Sequence, residues 1–190
     1  MAMLTIAASV LTTGNINADE KDTTKETSTA TESKYANKAV ADIYSTTTLN
    51  IRKKGSINAK IVGKMKKGNI ATVLKKGSEW SKVRSGNVTG YVKNQYLVFG
   101  DEIENFAKQN VKKVAKVQTE TLRVRKKAST DSKIVTLVSE DDKLKVKKQT
   151  NDWAKVKVDG QTGYVSKDYA KVTYSFGKAK SMKQIQAEQE

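Results

Sequence analysis

The chain contains no cysteine, no histidine and no proline. Without thiol or imidazole it cannot assemble a Ser-His-Asp or Cys-His hydrolase, and it lacks the commonest zinc ligands. Paired carboxylates can still make a glycosidase. Catalysis is therefore disfavoured rather than excluded, and no catalytic, metal-binding or cofactor-binding residue is expected. Missing cysteine is compatible with a secreted protein that uses no disulfides. Missing proline rules out cis-proline turns and proline-rich linkers. Aromatic residues are only 6% of the chain. No apolar run is long enough to cross a bilayer as an ordinary helix.

Lysine is what the chain has in excess. Its 190 residues carry 36 Lys and Arg against 20 Asp and Glu, a formal charge of +16. Basic chains of this kind attract polyanions: nucleic acid, anionic lipid or phosphate-rich wall polymers. The competing reading is that lysine only keeps a secreted protein soluble.

Residues 1–18, MAMLTIAASVLTTGNINA, are mostly small and apolar up to residue 13, and Ala18 suits a small-residue cleavage site. They resemble the back half of a secretory signal peptide, truncated because no basic residue precedes the apolar run. Secretion or cell-wall association is the corresponding expectation. A short buried or disordered segment is the alternative. Residues 19–39 are rich in threonine, serine and charge. They cannot bury enough surface to offset the entropy of ordering, so a disordered spacer is expected.

The rest of the chain is written twice. Shifted by 73 positions it aligns on itself, with about twenty of some fifty positions identical. Leu49 falls on Leu122 and Arg52 on Arg125, while Lys60, Ile61 and Val62 fall on Lys133, Ile134 and Val135. Trp80 falls on Trp153, Tyr96 on Tyr169, and Thr89, Gly90, Tyr91 and Val92 on Thr162, Gly163, Tyr164 and Val165.

Within each unit the apolar period is two. Trp153, Lys155 and Lys157 alternate with Ala154, Val156 and Val158. That is the pattern of a half-buried strand with one wet face. Asp159 and Gly160 suit a tight hairpin, because both tolerate positive φ. Five or six such strands in about 60 residues predict a small barrel or paired-sheet module. Residues 100–112 link the copies and can form a short helix with Ile103 and Phe106 on one side. Residues 175–190 form a tail that favours helix from about Met182.

Each copy places L-x-[IV]-R ahead of W-x-K-V and T-G-Y-V-x-x-x-Y. This resembles the bacterial SH3 domain family over residues 40–99 and 113–174. The resemblance implies an all-β chain: two tandem small SH3-like β-barrels joined by a short linker. It also implies a non-catalytic binding module of a secreted or wall-associated bacterial protein. The ligands it suggests are peptidoglycan, its cross-bridge peptides or a teichoic-acid-like polyanion. Trp80, Tyr96, Trp153 and Tyr169 match the aromatic positions that line the groove in the Src-type fold. Tyr44 is the first copy's only candidate for the first-strand aromatic, and Val117 stands in that place in the second. Lys93 and Ser166 occupy the site of a proline used by the eukaryotic class, so proline-rich ligands are not expected.

Both pairs of large aromatics have a plainer reading as core completion. Tyr91 and Tyr164 are expected to pack inside, and Gly90 and Gly163 to serve backbone shape. Residues 44–99 carry twelve basic side chains against Glu79 alone, and residues 115–174 carry fourteen against eight acidic ones. The first copy is therefore the stronger polyanion candidate, with Arg52, Lys53 and Lys54 near a strand end as its rim.

Two weak sites on one chain suit a repetitive polymer. Three functions compete. The first is a wall-binding tandem module. The second is the targeting region of a wall hydrolase whose catalytic domain lies outside these residues. The third is a nucleic-acid-binding protein, disfavoured because exposed aromatics are few. A monomer is expected.

Overall fold

In the computed structural model, which describes residues 33–44 and 46–190, two β-barrels are joined by a helix, and a C-terminal segment returns to the first barrel. The signal peptide expected at residues 1–18 and the spacer up to residue 32 lie outside the described residues. No helix among the described residues is long and apolar enough to cross a membrane.

The first barrel contains β1 (Lys38–Ala41), β2 (Leu49–Arg52), β3 (Ile61–Met65), β4 (Ile70–Lys75), β5 (Trp80–Ser85), β6 (Val88–Lys93) and β7 (Leu97–Phe99). Helix α1 (Glu102–Asn110) follows. The second barrel repeats the set as β8 (Lys113–Val117), β9 (Thr121–Arg125), β10 (Ile134–Ser139), β11 (Lys143–Gln149), β12 (Trp153–Val158), β13 (Gln161–Ser166) and β14 (Ala170–Tyr174). Last come β15 (Lys180–Ser181) and α2 (Met182–Ala187).

The strand order is the same in both sheets: β3-β2-β6-β5-β4-β1-β7 in the first barrel and β10-β9-β13-β12-β11-β8-β14 in the second. The period-two pattern sets which side chains point inward. Ser81, Val83 and Ser85 are buried on β5, and Val88, Gly90 and Val92 on β6. Ile51, Met65, Val83 and Val92 fill one core, and Val124, Val138, Val156 and Val165 fill its counterpart. The expected hairpin forms, with Asp159 and Gly160 at φ 46° and 82°.

Gly90 is required by close approach. A Cβ there would lie 2.5 Å from the Arg52 carbonyl oxygen and 2.7 Å from Ile51 Cγ2. Gly163 meets Val124 and Arg125 in the same way.

Three expectations are corrected. Tyr91 and Tyr164 do not pack inside. They alternate with buried Gly90, Val92, Gly163 and Val165, so they stand on the outer face, half-buried. The gapless alignment breaks between Ala41 and Leu49. Ala41 pairs with Leu97 as Val117 pairs with Ala170, and eight positions separate Ala41 from Leu49 where five separate Val117 from Leu122. The longer first-copy loop carries Tyr44, which has no counterpart, since Val117 is a fully buried core residue. Order also begins ahead of residue 40: Tyr35 is buried, and β1 starts at Lys38.

Helix α1 buries Ile103, Phe106 and Ala107. Ile103 and Phe106 join Tyr35 and Val40 in a third apolar cluster, against which Ile70, Val98, Val111 and Phe176 pack. The C-terminal segment does not trail away. Gly177 carbonyl accepts from Ile70 N–H at 2.9 Å, and Ala179 N–H donates to Ser85 Oγ at 2.9 Å. Lys180 and Ser181 then pair with Lys64 and Gly63, adding β15 to the exposed edge of β3. Ser181 caps α2 by accepting from Gln184 N–H, while Gln184 Oε1 accepts from Ser181 N–H. Tyr174 donates its hydroxyl to Glu104 at 3.2 Å, tying the second barrel to α1. Burial, then the Glu104 charge and this bond, hold the Tyr174 phenol above its usual pKa.

Candidate functional site

Each barrel carries a groove between the long loop that follows β2 or β9 (residues 53–60 and 126–133) and the strand end that bears the tryptophan. The first groove, about 260 Å³, is lined by Trp80, Tyr96, Leu49, Thr48, Arg52 and Lys93 among others. The second, about 340 Å³, is lined by Trp153, Tyr169, Leu122, Thr121, Arg125 and Ser166 among others. Nine of the ten lining positions correspond at the offset of 73; the second groove adds Leu137.

Local hydrogen bonds fix the aromatic pairs. Asn94 Nδ2 donates to the Gly77 and Ser78 carbonyls at 2.8 and 3.0 Å, and its Oδ1 accepts from buried Ser81 at 2.7 Å. This pins the turn before Trp80 to the 3-10 turn, residues Asn94–Tyr96, that carries Tyr96. In the second copy Lys167 Nζ donates to the Thr150 carbonyl at 3.0 Å, making the equivalent bond with a different side chain. Arg52 and Arg125 each donate one guanidinium nitrogen to a carbonyl of the long loop, Ala59 and Ser132, at 2.8 Å. These arginines thus brace the loop and line the groove.

Trp80 and Trp153 belong to none of the core clusters and are half-buried. Tyr96 and Tyr169 are 37% and 54% exposed. An indole wall beside a phenol, with an arginine at one end, can pack on a sugar ring or peptide plane while its polar edges hold donors and acceptors.

The other candidates from sequence lie elsewhere. Tyr44 is 85% exposed, donates to Asp42 at 2.9 Å and lies under Lys67, whose Nζ is 3.9 Å from the ring centroid. Lys53 and Lys54 are exposed on the long loop outside the groove lining. Thr48, Leu49, Thr121, Leu122 and Arg125 were missed by sequence reasoning. The offset of 73 applied to Arg52 would have found Arg125.

The bacterial SH3 domain family model matches residues 47–98 and 120–171. The chain belongs to the bacterial SH3 domain family. The chain is 30% identical over 127 residues to "Putative N-acetylmuramoyl-L-alanine amidase YrvJ" of Bacillus subtilis (strain 168), covering 64% of this chain and 24% of that protein. Solved structures similar in part include an NlpC/P60 family protein from Bacillus cereus ATCC 10987, at 14% identity and TM-score 0.33, covering 73% of this chain and 57% of that one. NlpC2 from Trichomonas vaginalis matches at 11% identity and TM-score 0.31, covering 73% and 48%. The tandem SH3 chain thus spans about a quarter of the amidase and about half of the solved structures.

Proposed function

We propose that the chain is a non-catalytic, secreted or wall-associated tandem SH3 module that attaches its protein to peptidoglycan. The observation that carries this reading is the repeated groove, lined at nine equivalent positions and walled in both copies by a tryptophan, a tyrosine and an arginine. Two such grooves on one chain raise the local concentration of the second site once the first is filled. A repeating glycan or cross-bridge peptide is the ligand this arrangement serves. Likeness to a protein named as an amidase supports a second form of the same reading, in which the module delivers a wall hydrolase to its substrate.

The test is sedimentation of the full chain with purified cell walls, before and after removal of their anionic polymers, across a salt series. Binding that survives both treatments is expected, with at least about tenfold loss in a folded Trp80→Ala, Trp153→Ala double variant. Absence of binding to either wall preparation overturns the reading.

A further inference from the structure

Register across the sheets aligns four side chains in one outward row per barrel. Lys75 on β4 is opposite Lys82 on β5, Lys82 is opposite Tyr91 on β6, and Tyr91 is opposite Arg52 on β2. In the second barrel Lys148 is opposite Lys155, Lys155 opposite Tyr164, and Tyr164 opposite Arg125. Paired residues of an antiparallel sheet share a face; the two lysine pairs lie at β-bulges, after Val73 and after Val146, and Lys75 and Lys148 are exposed there. Each row therefore puts three cations and one phenol on one surface. With strands about 4.8 Å apart, a row spans roughly 14 Å.

Like charges directly opposite one another destabilise a sheet. The chain nevertheless places a lysine pair at the same point of both barrels, next to a β-bulge in each. No salt bridge among the described residues involves any of these eight side chains. Neighbours on the same face are Trp80, Arg84, Thr89 and Lys93 in the first barrel, and Trp153, Lys157, Thr162 and Ser166 in the second. None is acidic. Each row ends on the arginine that also lines the groove.

We infer that the two rows are binding sites for a linear polymer bearing phosphate in each repeat, laid across the strands and running into the groove at Arg52 or Arg125. Lysine ammonium groups act as point charges toward phosphate, and the arginine donors left free by the loop carbonyl hold one phosphate at the groove mouth. The inference goes beyond the peptidoglycan reading: it adds a second, anionic polymer class and gives its locus. That locus is the sheet face, not the Lys53 and Lys54 loop.

Long-chain inorganic polyphosphate, titrated into the full chain at several salt concentrations, tests this without any cell wall, so the two readings can fail separately. A Lys82→Gln, Lys155→Gln variant is compared with Lys53→Gln, Lys126→Gln, which removes the same charge from equivalent loop positions. The row variant is expected to bind roughly tenfold more weakly with a shallower salt dependence, and the loop variant to stay within about twofold. Thermal melts should show both variants folded. Equal losses in the two variants would mean diffuse charge and overturn the inference, as would no binding by the wild type. A single-stranded oligonucleotide bound more tightly than polyphosphate through the same row would also overturn it, in favour of nucleic acid.

Discussion

Gly55 lies against Trp80: a Cβ built on it would sit 3.1 Å from the indole-bearing Cβ and 3.2 Å from Cγ. The tip of the long loop therefore covers one side of the first tryptophan. The second copy has Ala128 at the matching position. A Gly55→Val substitution should push the exposed loop outward and open that side of Trp80 to water. Trp80 emission is expected to shift to the red in a Trp153→Phe background, with stability changed by less than about 1 kcal/mol because the loop is free to move. Unchanged emission would mean that the loop does not cover the indole in solution.

Ser85 is 2% exposed, donates to the Ile70 carbonyl at 2.7 Å and accepts from Ala179 N–H. Ser85→Ala leaves a buried N–H and a carbonyl without their partner. A loss of about 1–3 kcal/mol is expected in urea denaturation. Trypsin should then cut the C-terminal segment at Lys178 or Lys180 faster than in the wild type. At the matching second-copy position, Val158→Ala should leave that cleavage rate unchanged.

The Tyr174 phenol, raised by burial and by Glu104, favours its neutral form in the folded state. Its contribution is fully present below the ordinary tyrosine value of about 10 and is lost as pH rises through the higher folded value. Stability should therefore fall above about pH 10. Tyr174→Phe is expected to flatten that part of the pH profile and to cost about 1 kcal/mol at neutral pH. An identical alkaline slope in wild type and variant would contradict the assignment.

Gly90→Ala drives a Cβ into the Arg52 carbonyl, where β6 meets β2 at the Arg52–Tyr91 pair. A loss of about 1–3 kcal/mol in the urea midpoint free energy is expected. Because Arg52 also shapes the groove, wall binding by the first copy should weaken in parallel.

Much of the architecture is legible in the sequence because it is local. Alternation at Ala154, Val156 and Val158, the Asp159–Gly160 turn and the 73-residue offset all follow from neighbours on the chain. Trp80 and Trp153 line grooves at the positions that the resemblance, rather than local pattern, implies. Tyr91 is expected inside as the aromatic that follows the glycine, whereas its strand parity, between Gly90 and Val92, puts it outside. Tyr44 is expected at the site as the first copy's only first-strand aromatic, but it stands on a loop three residues longer than its second-copy counterpart, outside the groove lining. The return of the C-terminal segment had no local signature. A two-residue strand has no period to read, and its partners, Gly63 and Ser85, lie far back along the chain.

Ala179 and Ser85 are 94 residues apart in sequence. The second barrel is thereby nested inside a loop that the first barrel closes. Closing so long a loop is entropically slow and gains only a few bonds at the end. Each barrel is built largely on its own short-range hairpins, whereas the seam between β15 and β3 joins segments that lie on either side of β8 to β14 in the chain. It should be the last part of the protein to zip up and the first to open. Hydrogen exchange at Lys180 and Ser181 should accordingly run ahead of exchange in either barrel core.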